Sequence, residues 1–209
     1  MYTHVKRILD AVLSLLALVV LSPLMIALAI IIKATSPGPV FFRQKRVGLG
    51  KTHFMIFKYR TMRTDAPKDQ PTHLLQNPGA FITPVGRFLR KYSLDELPQL
   101  FNILAGEMAV VGPRPALWNQ FDLIAERDKY GANDVRPGLT GWAQINGRDE
   151  LPIDVKARLD GEYVRRVSFM FDLRCILGSV FKVLRAEGFV EGAHAQASAQ
   201  AGKPEEQRK

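Results

Sequence analysis

Cysteine is almost absent from this chain. Cys175 is the only one in 209 residues, so no disulfide can form within it, and no Cys/His spacing suggests a zinc site. A reducing compartment fits. Acidic residues are missing from Lys33 to Arg63, where eight Lys/Arg account for nearly all of the net charge of +9. Such a surplus calls for an anionic partner: nucleic acid, phospholipid headgroups or a phosphorylated substrate. Large apolar side chains are nearly missing after Glu187, and residues 189–209 read as a disordered tail. No internal repeat and no second domain are evident, and the length suits one domain with appendages.

Apolar residues are instead concentrated in one run, ILDAVLSLLALVVLSPLMIALAIII at 8–32. As a helix it would reach roughly 37 Å, enough for a hydrocarbon core of about 30 Å. It is too long for a signal peptide and lacks a small-residue cleavage site. Two features argue against a plain membrane-spanning anchor. Pro23 removes a backbone donor near the middle, and the Ser22 hydroxyl is placed to serve the carbonyl thereby freed. Both flanks are basic, with Lys6 and Arg7 before and Lys33, Arg43, Lys45 and Arg46 after, so both ends prefer the cytoplasm. A helix that enters, breaks at Ser22-Pro23 and returns satisfies both features and keeps Asp10 near the headgroups. A spanning helix with a short translocated N-terminus stays open on these residues alone.

After SPGP (36–39), the stretch VFFRQKRVGLGKTHFMIFKYRTM reads as a β-hairpin around a glycine-containing turn. Alternation puts Phe54, Ile56, Lys58 and Arg60 on one face, which suits either a phosphate-bearing ligand or a solvated basic surface. GLGKT is not a P-loop, because Lys45 stands where that motif needs its first glycine. Residues 64–80 form a Pro-rich loop, and helices are expected near 85–92, 95–105 and 116–130. Near the C-terminus Val167, Phe171, Leu177, Val180, Phe181 and Leu184 recur near helical spacing, for either an interfacial helix or one packed on the core.

In SLDE (93–96) two carboxylates stand side by side in basic surroundings. Ser93 and Glu96 could form a capping box with Asp95 near the positive helix end. Pro98 fits that account poorly, being beyond the first turn without a donor. Arg90, Arg114 between two prolines, and Arg136 and Arg148 in VRPGLTGWAQINGR supply guanidinium forks suited to phosphate oxygens. Among such cations Asp95 would stay ionised and could attack phosphorus, while Glu96 could hold a magnesium ion.

Together these stretches resemble the small bacterial sugar transferases, monotopic phosphoglycosyl transferases acting on a polyprenyl phosphate. The resemblance covers residues 1 to about 188 and rests on KRILD, the Ser22-Pro23 break, FKYRTM, SLDELPQLFNIL, VGPRP, RPGLTGWAQINGR and SFMFDL. It implies an α+β, mainly helical fold: a re-entrant helix-break-helix at 1–34, then a cytoplasmic catalytic domain with a small hairpin and interfacial helices at 35–188. The implied reaction passes a sugar-1-phosphate from a UDP-sugar to undecaprenyl phosphate at the cytoplasmic face of the bacterial inner membrane, starting surface glycan assembly. By the same resemblance Asp95 is the nucleophile that forms a phosphosugar-aspartyl intermediate. Glu96 binds Mg2+, and Lys58, Arg90 and Arg114 surround the phosphates, with Arg60, Arg136 and Arg148 less closely assigned. Phospholipids are further expected partners, nucleic acid is not, and a homodimer would be unsurprising. A non-catalytic adaptor of a glycan-assembly complex would need the apolar segment but not the acid pair. Nucleic-acid binding would leave that segment unexplained.

Overall fold

The first element, α1 (Tyr2–Thr35), is a helix of 34 residues, about 51 Å long at its usual rise. It belongs to a computed structural model that describes residues 2–68, 75, 77–147 and 151–185. Buried Asp10, Ser14, Met25, Leu28 and Ile32, with half-buried Ala17, Leu18, Leu21 and Ala29, advance by threes and fours into one seam against the rest of the chain. The opposite face, including Val12, Leu16, Val19, Val20, Ile26 and Ile30, is exposed. Only 17% of its most apolar 18-residue window is buried, so α1 is not the core helix of a globular domain. By length and composition it is able to cross a membrane.

The helix runs on through Ser22-Pro23, where the sequence led us to expect a break. Pro23 cannot donate to the carbonyl of Val19, and the Ser22 hydroxyl donates to that oxygen instead at 2.8 Å. The expected role of Ser22 is therefore met, while the helical path is kept. Both ends of α1 touch the same domain. Near its start, Tyr2 and Lys6 reach Asp172, and Arg7 donates to the carbonyls of Ile103 and Leu104. Just past its end, the Ser36 carbonyl accepts from Arg60. Asp10 is buried in protein rather than left to headgroups, accepting the Val110 N–H at 3.2 Å.

β1 (Phe41–Val47) and β2 (His53–Tyr59) form the expected antiparallel hairpin, with Phe42 opposite Lys58 and Arg46 opposite Phe54. Gly50 takes φ +59 in its turn, a conformation that favours glycine. α2 (Pro84–Lys91) and α3 (Gln99–Ala105) follow. Fully buried Asn102 of α3 accepts the Phe57 N–H and donates to the Met55 carbonyl, both at 2.9 Å, and so pins β2 to α3. β3 (Ala109–Val111) and β4 (Gly138–Thr140) make a short parallel pair that joins VGPRP to RPGLTG. Three-residue strands show no periodicity, and nothing in the sequence assigned a strand to either stretch.

α4 (Phe121–Asp128) is shorter than the helix expected at 116–130. α5 (Trp142–Ile145) and α6 (Ile153–Arg166) were not expected. α6 had signals that could have found it: Pro152 before it, Asp154 in its first turn, and Arg165 and Arg166 in its last. α7 (Phe169–Leu184) packs on the core along one face, the second of the two readings left open for it, and leaves the opposite face exposed. Phe171 and Cys175 enter a cluster with Val111 and Tyr163, while Phe169, Met170, Leu173, Leu177, Val180 and Phe181 are exposed. The proposed tail, 189–209, lies outside the described residues.

Candidate active site

Asp95 and Glu96 stand in a single 3₁₀ turn, Leu94–Glu96, between α2 and α3. The capping box is not what forms. Ser93 takes the left-handed conformation, φ +54, and its side chain caps nothing. α3 begins only at Gln99, so Pro98 precedes it, where a missing donor costs little. The turn is held on its other side by the Ser93 N–H, which donates to the Arg90 carbonyl at 3.1 Å.

Two elements bring cations to Glu96. Lys58 comes from the inner face of β2, beyond buried Phe54 and Ile56, and its Nζ lies 2.7 Å from Glu96 Oε1. Arg114 comes from VGPRP, and its Nη1 lies 3.2 Å from the same oxygen. That loop is fixed by three backbone bonds: Gly112 to Thr140, Gly138 to Pro113, and Val47 to Ala116. The approach is close enough that a Cβ on Gly112 would lie 2.4 Å from the Arg136 carbonyl. Arg46, which sequence reading did not place in the site, donates to the Pro115 carbonyl at 2.9 Å and holds the loop from below. Arg90, in the last turn of α2, donates through Nε to the Thr61 hydroxyl at 3.0 Å.

The two carboxyls are driven apart. Asp95 is buried, and burial pushes its carboxyl up to about 6, against the pull of Lys58; the Glu96 charge adds to the rise, and Arg90 and Arg114 oppose it. Burial also works to raise Glu96, but Lys58 and Arg114, acting through charge and hydrogen bonds, hold it well below the usual carboxylate range. Burial pulls the Lys58 ammonium down, and the Glu96 charge counters that. Asp95 is thus poised near neutrality, closer to its neutral form than its guanidinium neighbours alone suggested.

Among the described residues, no three His, Cys, Asp or Glu side chains cluster as a metal cage. Magnesium typically needs only one or two protein carboxylates and completes its shell with substrate phosphates and water. Asp95 and Glu96 fit that donor set.

Lys58, Asp95, Glu96 and Arg114 are therefore brought together, with Arg90 beside them. Arg60 points elsewhere. It lies past the end of β2, is buried, and gives its guanidinium to the carbonyls of Ser36 and Pro37 at the end of α1. Arg136 donates from Nε to the Gly106 carbonyl at 2.9 Å, at the C-terminal end of α3, where a cation also suits the helix dipole. Arg148 lies outside the described residues.

An acid pair with cations converging on it thus stands on a domain that carries a long, largely exposed helix, long and apolar enough to cross a membrane. The chain belongs to the bacterial sugar transferase family, whose model matches residues 1–186. It is 42% identical to the UDP-glucose:undecaprenyl-phosphate glucose-1-phosphate transferase of Xanthomonas campestris pv. campestris, over 86% of this chain and 38% of that protein. It is 38% identical to an uncharacterized sugar transferase of Bacillus subtilis, EpsL, over 92% of this chain and 93% of that one. It is 36% identical to the UDP-N-acetylgalactosamine-undecaprenyl-phosphate N-acetylgalactosaminephosphotransferase of Aeromonas hydrophila, over 90% of this chain and 45% of that protein. The chain thus spans less than half the length of the Xanthomonas and Aeromonas relatives and nearly all of the Bacillus one.

Proposed function

We infer that this protein transfers a sugar-1-phosphate from a UDP-sugar to undecaprenyl phosphate, through a covalent intermediate on Asp95, at the cytoplasmic face of a bacterial membrane. The observation that carries this reading is the convergence of Lys58 and Arg114 on one oxygen of Glu96, beside buried Asp95. An Asp95 carboxylate oxygen bonds to the β-phosphorus of the donor, and the bond from that phosphorus to the bridging oxygen breaks, releasing UMP. An oxygen of the lipid phosphate then bonds to the same phosphorus. The Asp95 carboxylate leaves, and the product is undecaprenyl-diphosphate-sugar.

Lys58, Arg90 and Arg114 bind the donor phosphates and bear the charge that accumulates in the transition state. Glu96 would hold the magnesium ion, with Asp95 near it. Such an ion offsets the repulsion between a carboxylate and an anionic phosphorus centre. Membrane placement is supported by the exposed faces of α1 and α7, and a monotopic arrangement by contacts from both ends of α1 to one domain. Relatives named for glucose and for N-acetylgalactosamine make a panel of UDP-sugars the right assay.

The test is UMP release with undecaprenyl phosphate, together with rapid-quench mass spectrometry. The parent chain should accumulate a phosphosugar adduct on Asp95. Asp95→Asn should lose at least about a thousandfold in turnover, as loss of a nucleophile does. Turnover without an adduct would favour direct attack by the lipid phosphate, and an active Asp95→Asn chain would remove the nucleophile role.

A further inference from the structure

FKYRTM supplies only Lys58 to the proposed chemistry, yet the three residues after it each have a separate partner. The Tyr59 hydroxyl donates to the Met25 carbonyl of α1 at 2.7 Å, and Arg60 binds the carbonyls that follow α1. Thr61 turns back to the site: its Oγ1 accepts from Arg90 Nε at 3.0 Å. Its backbone does a different job. The Thr61 carbonyl accepts the Thr83 N–H at 3.0 Å, and a Cβ on Gly86 would lie 2.0 Å from that oxygen, so α2 is seated directly on this peptide. Seating of the helix is backbone work, and the buried hydroxyl serves Arg90.

We propose that Thr61 is a positioning residue for the transfer reaction, its hydroxyl orienting the Arg90 guanidinium toward Asp95 and the donor phosphates. An arginine side chain has several rotatable bonds, and its fork discriminates only when its plane is set. A bond at Nε sets that plane. Two further contacts frame it: the Arg90 Nη2 lies 3.7 Å from the Met62 sulfur, and the Arg90 carbonyl accepts the N–H of Ser93, two residues before Asp95. One hydroxyl thereby links the strand that carries Lys58 to the helix that carries Arg90.

This role rests on the proposed reaction, and a double-mutant cycle on the full-length chain in nanodiscs separates the two. Thr61→Val keeps shape and backbone but removes the hydroxyl. It should lower kcat/KM on the order of tenfold, as loss of a hydrogen bond to a charged group does. Thr61→Ser should restore most of that activity. In an Arg90→Gln background, Thr61→Val should change kcat/KM by less than about twofold, because coupled sites are not additive. A structural role would instead lower the melting temperature and multiply with Arg90→Gln. If valine unfolds the chain, Thr61→Ala replaces it in the same cycle. Full activity in Thr61→Val, or losses that multiply, would overturn the inference alone. No turnover by the parent chain with any UDP-sugar would overturn the reaction, and this role with it.

Discussion

Lys6 Nζ lies 2.8 Å from Asp172 Oδ2, joining the first turn and a half of the chain to the start of its last described helix. Around this contact the Tyr2 hydroxyl donates to the same oxygen at 2.6 Å, and the Tyr163 hydroxyl lies 2.8 Å from Oδ1. KRILD and SFMFDL, two stretches without an obvious task in the reaction, are partners of each other.

That pair is well shielded, with side-chain exposures of 12% and 8%. Lys6 Nζ also lies 3.5 Å from Asp10 Oδ1, so removing Asp172 leaves the ammonium one carboxylate, and the loss should be about 1–3 kcal/mol, that of a hydrogen bond to a charged group. Asp172→Asn should lower the thermal midpoint in detergent, and Asp172→Asn with Lys6→Met should lose less than the two single losses added together. Losses that simply add would argue against a direct pair.

Ser22 and Pro23 should compensate one another. Ser22→Ala leaves the Val19 carbonyl without the hydroxyl it uses now, at a cost of roughly 1 kcal/mol. Pro23→Ala returns a backbone donor to that carbonyl. The Ser22→Ala, Pro23→Ala double variant should unfold later than Ser22→Ala alone. Equal midpoints for the two would show that the hydroxyl is not serving the gap left by proline.

Asn102 should matter more than its lack of chemistry suggests. Asn102→Ala leaves the Phe57 N–H and the Met55 carbonyl without their partner in these half-buried bonds, and each lost bond costs about 1 kcal/mol. It should also loosen the register of β2 and so displace Lys58. Both a lower midpoint and a raised KM for the UDP-sugar are expected. Wild-type kinetics in a folded Asn102→Ala chain would contradict the link from α3 to Lys58.

The rate should carry the signature of a buried nucleophile. Burial raises Asp95 to about 6, and the working form is the carboxylate, so kcat/KM should fall as pH drops through that value. An ordinary aspartate, near about 4, would keep the profile flat much further down. Arg90→Gln removes one of the cations that oppose the rise, so the acid limb should move to higher pH. A limb that stays near 4 in both chains would mean that Asp95 is not desolvated in the working enzyme.

Much of this architecture was readable before any coordinates. Apolar length marks α1, alternation around glycines marks the hairpin, and proline and glycine mark the loops that carry Arg114 and Arg136. Unreadable were β3 and β4, whose pairing is set by two distant Pro/Gly-rich segments approaching each other rather than by any local pattern. Arg60 and Arg136 show the same limit. A basic residue in a promising motif looks the same whether its partner is a phosphate or a carbonyl at the end of a helix.

The sequence by itself determined the membrane-seeking helix, the basic surroundings and the presence of an adjacent acid pair, because those follow from composition and short-range spacing. Only the tertiary structure decided which acid is poised to gain a proton. Asp95 and Glu96 are neighbours in one turn, and what separates them is that Lys58 and Arg114, from two distant segments, both converge on Glu96. Desolvation acts on both carboxyls, but the compensating cations reach one far more closely than the other.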